Sequence, residues 1–246
     1  RDHQLQDALG LTRWRGYTHG ARVPLTVVAH TDGVFALAVG KQGKVYSGHL
    51  EKTVKVWCGS TGDLLQTLRG HEYSVLALAI GSDWRVYSGS ADATVKLWSG
   101  DDGALQRTLT GHTSAVWTLA VGNTHVYSGS EDATIRVWLC STGECVHTLR
   151  GHTADVLALA LDNHGKLYSG SKDTTIRVWS TSEHTHIRTL QGHTNRVTAL
   201  VVGLDGTLYS GSWDETIKVW SGTDGALFHT LQWQSNAINC VVIAPD

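Results

Sequence analysis

The chain has 246 residues, 41% hydrophobic and 17% charged, a balance that supports a sizeable buried core and excludes a disordered tail. Lys and Arg total 20 against 22 Asp and Glu, and the net charge of −2 offers no electrostatic pull toward nucleic acid or an anionic membrane. No apolar run reaches the length of a membrane span, and the N-terminus lacks the basic-then-apolar pattern of a secretory signal, so the expected setting is soluble, intracellular and cytoplasmic.

In chain order, residues 1–22 read as an N-terminal extension in which Leu5-Gln6-Asp7-Ala8-Leu9 is compatible with one or two helical turns. Thr12-Arg13-Trp14 reads as a third strand two residues out of step, and residues 23–28 align with a fourth strand just ahead of His30. From there the chain repeats. Histidines preceded by glycine or alanine fall at His30, His71, His112, His152 and His193, spaced 41, 41, 40 and 41. Tryptophans keep step at Trp57, Trp98, Trp138, Trp179 and Trp220, spaced 41, 40, 41 and 41, and a Tyr-Ser-Gly segment lies between each pair. Two landmarks in phase over five units define an internal repeat.

Each unit is expected to hold four short strands. In the second, Val75-Leu76-Ala77-Leu78-Ala79-Ile80 is apolar on both faces, as suits a strand sandwiched between neighbours. Arg85-Val86-Tyr87-Ser88 follows, then the alternating, β-branched Thr94-Val95-Lys96-Leu97-Trp98, then residues 105–109 after a turn with Asp101-Asp102-Gly103. Five units are complete at about 34–68, 75–109, 116–149, 156–190 and 197–231. A sixth opens at Asn236 with a first strand over 237–243, its landmark degraded to Trp233-Gln234. The first residue is Arg1 and methionine is absent, which favours a piece of a longer protein.

Four-stranded units of this length with Gly-His and Trp landmarks resemble the WD-repeat β-propeller family over residues 23–246, which implies an all-β ring of blades. Pairing strands from both ends in one blade favours six blades; seven, the family's usual number, stays open. The resemblance carries over a buried tetrad of His, Ser, Asp and Trp. It falls on His71, Ser88, Asp92 and Trp98; on His112, Ser128, Asp132 and Trp138; on His152, Ser169, Asp173 and Trp179; and on His193, Ser210, Asp214 and Trp220. The first blade departs, with Glu51 at the turn acid and His49 and Leu50 beside it, so its relay is expected to be altered. The Asp that usually follows the tryptophan is replaced by Cys58, Ser99, Leu139, Ser180 and Ser221, which removes the family's Trp-Asp-x-Arg docking signature.

Positions that repeat identically serve the scaffold, and positions that vary are free to carry identity. Three vary most: the residue after the leading Val or Ile of the first strand, the residue before it, and the residue preceding the turn acid. The resemblance implies that these belong to a top-face contact set around the central channel. The candidates for partner binding are Phe35, Trp117, Glu131, Asp155, Lys172, Arg196 and Trp213. A tryptophan whose equivalents are small or charged, beside an arginine, has the composition of an interaction hot spot.

Catalysis and metal binding are not expected. Ser, His and Asp recur in four blades, whereas a catalytic set occurs once, in a cleft. Five histidines are repeat landmarks, and His184 and His186 sit in one loop with no third donor in sequence to help, so a solvated loop is expected there. Cys58, Cys140, Cys145 and Cys240 lack zinc-ligand spacing and read as free thiols. The leading functional reading is a non-enzymatic scaffold, without cofactors, that binds partner proteins or peptides within a larger assembly. The alternative is the substrate-recognition domain of a larger enzyme such as a ubiquitin ligase or kinase.

Overall fold

Alternating β-branched segments punctuated by Gly and Asp fold as antiparallel meanders. A computed structural model describes residues 33–232 and 236–243. The first blade is β1 (Val34–Val39), β2 (Lys44–His49), β3 (Thr53–Cys58) and β4 (Leu64–Arg69); the second is β5 (Val75–Ile80), β6 (Val86–Ser90), β7 (Val95–Trp98) and β8 (Leu105–Leu109). The third is β9 (Val116–Val121), β10 (His125–Ser130), β11 (Ile135–Leu139) and β12 (Cys145–Leu149). The fourth is β13 (Val156–Leu161), β14 (Lys166–Ser171), β15 (Ile176–Ser180) and β16 (His186–Leu190), and the fifth is β17 (Val197–Val202), β18 (Leu208–Ser212), β19 (Thr216–Trp220) and β20 (Leu227–Gln232). Each sheet runs first, second, third, fourth strand in order. Their bounds follow the repeat units, and the described residues contain no α-helix.

The first strands β1, β5, β9, β13 and β17 pack beside one another in chain order, which makes them the inner strands of a propeller. A glycine of the second strand permits that approach. A β-carbon on Gly48, Gly89, Gly129, Gly170 or Gly211 would come within 2.8 Å of Val75, Val116, Val156, Val197 or Ile238 of the next unit. Those four valines are fully buried, each contributing about 1.5–3 kcal/mol. The core therefore lies between blades: Trp98 and Val86 of the second pack with Tyr46, Val56 and Leu68 of the first.

Every inner strand carries a β-bulge against its second strand, at Phe35, Leu76, Trp117, Leu157 and Thr198. A bulge re-aims one side chain and leaves its neighbours in register. The bulged position is the one that varies after the leading Val.

Residues 237–243 depart from the expected strand. Ile238 takes the place beside Gly211 that Val197 takes beside Gly170, and its N–H donates to Ser212 O at 3.0 Å. A strand needs a hydrogen-bonding neighbour, and among the described residues no second strand lies beside this segment to pair with it. The readings over residues 1–22, 23–28 and 233–234 lie outside the described residues, and with them the closure of the sixth blade.

Candidate functional site

The connection from a fourth strand to the next first strand and the turn from second to third strand meet at one end of each blade, where two sets of side chains gather. The first is the tetrad. His71, His112, His152 and His193 each place Nδ1 2.7 Å from their turn aspartate. Their Nε2 atoms lie 2.7–2.8 Å from Ser88, Ser128, Ser169 and Ser210 Oγ. Trp98, Trp138, Trp179 and Trp220 donate Nε1–H to those hydroxyls at 2.8 Å. An indole N–H only donates, so the serine oxygen accepts it; its own proton is then free for Nε2 of an imidazole protonated on Nδ1. The serines are fully buried beneath tryptophan, so this Ser-His-Asp arrangement gives no substrate a path to the hydroxyl.

Each turn aspartate gathers further donors. Asp92, Asp132, Asp173 and Asp214 accept the hydroxyl of Thr94, Thr134, Thr175 and Thr216 at 2.6–2.7 Å. Burial pushes the carboxyls up, and these hydrogen bonds more than reverse it. Asp92, Asp132 and Asp173 are held below the ordinary carboxylate value, and Asp214 falls to about 2. Burial also holds the His112 and His193 imidazoles below the ordinary histidine value, against the pull of their aspartates. A second serine was missed by sequence reasoning: Ser90, Ser130, Ser171 and Ser212 donate to Tyr73, Ser114, Ala154 and Asn195 carbonyls at 3.0–3.1 Å, pinning the turn to the entering loop. The signal was its recurrence two places after the tetrad serine.

In the first blade His49 stands where this second serine belongs. It lies fully buried with Nε2 2.9 Å from Ser47 Oγ, which also accepts Trp57 Nε1–H at 2.7 Å. Glu51 pairs with Lys55 at 3.3 Å.

The second set is the variable one. The residue before each turn acid donates its N–H to the residue before the leading Val: Leu50 to Gly33, Ala91 to Ser74, Glu131 to Ala115, Lys172 to Asp155 and Trp213 to Arg196. The scaffold thus couples two variable positions in every blade. In the fifth, the Arg196 guanidinium lies 4.1 Å from the Trp213 ring centre. The indole remains 42% exposed and donates Nε1–H to Asn239 Oδ1 at 3.1 Å. In the fourth, Lys172 is paired with Asp155 at 3.3 Å, which partly neutralises it. In the third, Glu131 accepts from Ser114 at 2.6 Å. Phe35 and Trp117 occupy bulges with 51% and 37% of their surface exposed. Polar contacts among these seven stay within a blade; Trp213 to Asn239 links the fifth blade to the segment after it. Inner-strand residues Thr118, Leu157, Leu159 and Leu200 line a cavity with Asn239 beside them.

All four cysteines are free, and no helix among the described residues is long and apolar enough to cross a membrane. The family model for the WD domain, G-beta repeat matches residues 22–58, 62–99, 103–138, 143–180 and 184–221, more than half of the chain. After the first, the matches run from just ahead of one blade's fourth strand through the third strand of the next, the offset by which a repeat interlocks two blades. Searches of curated proteins returned no match.

Proposed function

The chain belongs to the WD40-repeat family, and on that premise we propose that it is a scaffold that captures partner proteins or peptides at the channel mouth. Domains of this family are typically non-enzymatic and mediate protein–protein interaction. The observation that carries the site is the stack of Arg196 on Trp213. It presents a half-exposed indole and a guanidinium together, at a position where the other blades hold nothing comparable. Aromatic and arginine anchors dominate the energy of interfaces, while their surroundings mainly exclude water. Phe35 and Trp117 extend the apolar part of the face, and Glu131, Asp155 and Lys172 supply a polar rim of mixed sign. The proposed partner is a segment that seats an apolar residue on the indole and sets a carboxylate or carbonyl against Arg196. The proposed setting is the cytoplasm, where free thiols persist.

The test is affinity capture from a cytosolic extract, comparing the unaltered chain, a Trp213→Ala/Arg196→Ala double variant, and a Trp84→Ala variant. The exposed Trp84 lies in the β5–β6 connection, at the end of the blade opposite the second-to-third-strand turns. Loss of the same partners from the double variant alone supports the reading. Loss from the Trp84 variant alone moves the site to the other side of the ring.

A further inference from the structure

The repeat serves as its own control, and it singles out the joint between the third and fourth blades on the face opposite Trp213. The turn from third to fourth strand holds a glycine in the left-handed region in four blades, at Gly62, Gly103, Gly143 and Gly225 with φ of 72–79°. The fourth blade holds His184 there, at φ 53°. Histidine is among the side chains that enter this region, and seven other non-glycine residues of the described chain have positive φ, so the departure lies in which residue the turn uses.

Two neighbouring positions also carry histidine at this joint. Gln66, Arg107 and Arg188 lie over the glycine of the following blade, at Gly103, Gly143 and Gly225. The equivalent residue facing His184 is His147, with ring centres 4.2 Å apart and 34° between the planes. At the head of the second strand, Lys44, Arg85 and Lys166 donate to carbonyls of the next blade's turn, Gly100, Cys140 and Gly222. The third blade has His125 instead, its ring centre 5.3 Å from that of His184. His184 replaces the glycine of the other four blades, His125 the cation of the first, second and fourth, and His147 their glutamine or arginine, while the fifth blade holds Thr207 and His229 at the latter two positions.

We propose that His125, His147 and His184 bind a divalent transition-metal ion of the zinc class across this joint. Imidazole is the common donor for such ions, and three of them leave the fourth position of a tetrahedral centre to water. Rings bound to one ion at about 2.0–2.1 Å have centres about 5 Å apart, which the observed separations bracket. His184 Nδ1 is buried with no hydrogen-bond partner among the described residues, and a ligand would satisfy it. Thr124 Oγ1 lies 2.9 Å from His125 Nδ1, the kind of outer contact that orients a ligating ring.

As they stand the rings are tilted, and no three donors among the described residues converge on one point. Binding therefore takes rotation about side-chain torsions, which the exposed His147 is free to make. His186, two residues along the same loop, turns away to Thr189 at 3.0 Å and to the Trp179 ring. The loop of His184 and His186, expected from sequence to be merely solvated, instead sets His184 against His147 and His125.

The experiment is calorimetric titration of the whole chain with zinc chloride, paired with thermal unfolding in its presence and absence. A saturable site is expected that raises the unfolding temperature. His184→Gly restores the residue the other blades use, so it folds without strain; it is expected to weaken zinc binding more than about tenfold and to abolish the thermal shift. His147→Arg is expected to do the same, and His186→Gln to leave both unchanged. No saturable binding, binding that survives His184→Gly, or equal loss in His186→Gln overturns the proposal.

Discussion

The Asp132 carboxylate stands 2.7 Å from His112 Nδ1 while its other oxygen takes the Thr134 hydroxyl at 2.6 Å. One side chain thereby fixes an imidazole, a threonine and the turn that carries Glu131. Replacing Asp132 with Ala strands the buried Nδ1–H and the Thr134 donors at once. The expected cost is about 1–3 kcal/mol. Glu51→Ala removes a partly exposed ion pair with Lys55 and is expected to cost under about 1 kcal/mol. Urea denaturation of both variants measures the difference, and an equal or reversed order contradicts the assigned network.

The same geometry sets the response to acid. Asp214 has a folded-state pKa depressed to about 2, so its contribution is present above the unfolded value and lost as pH falls toward 2. His112 and His193 are also depressed, by burial, so they bind protons more readily when unfolded. Both effects have one sign. The denaturation midpoint is expected to stay level from pH 8 to about 6.5, to fall as the histidines titrate, and to fall further through the carboxylate range. A midpoint that rises on acidification refutes this assignment.

Ser130 is fully buried, donates to Ser114 O at 3.0 Å and accepts the Asp132 N–H at 3.1 Å. Ser130→Ala leaves both partners unsatisfied and is expected to cost about 1–3 kcal/mol. Because Asp132 shares the network, the Ser130→Ala/Asp132→Ala double variant is expected to lose less than the sum of the singles. A full double-mutant cycle measures the coupling.

Much of this was legible in the sequence because a repeat prints its scaffold several times. The His71–Trp98 interval, the Tyr-Ser-Gly segments and the strand bounds all follow from period and β-pattern, which are properties of local neighbours. What was not legible depends on residues that meet across blades. His184 read in sequence as part of a solvated loop and is set in space against His147, because adjacent blades bring a turn over the preceding outer strand. Lys172 was singled out as a candidate for partner binding, and its pairing with Asp155 across the turn was not visible in sequence. Residues 237–243 have the apolar content of a strand, but forming one depends on a pairing partner that no local pattern reveals. The bulges at Phe35 and Trp117 were visible only as variability.

The Arg196–Trp213 pair gives the final prediction. Neither residue belongs to the tetrad, and Trp213 is 42% exposed, so truncating either is expected to change folding stability by under about 1 kcal/mol. As anchors of an interface, each is expected to weaken partner affinity by about 2 kcal/mol or more, roughly thirtyfold. The two are not independent, since the guanidinium sits 4.1 Å from the ring centre and is held over it by that stacking. Trp213→Ala releases Arg196 into solvent, so part of its contribution goes with the indole, and the double variant is expected to lose less than the two singles combined. Asn239→Ala removes only the acceptor of the indole N–H, leaving Trp213 stacked on one side, and is expected to weaken binding by less than either. Surface binding assays of the three single variants and the double, with denaturation run alongside, separate recognition from folding. If affinity is untouched while stability falls, the stack is a strut holding the segment at Asn239, and the partner is seated elsewhere.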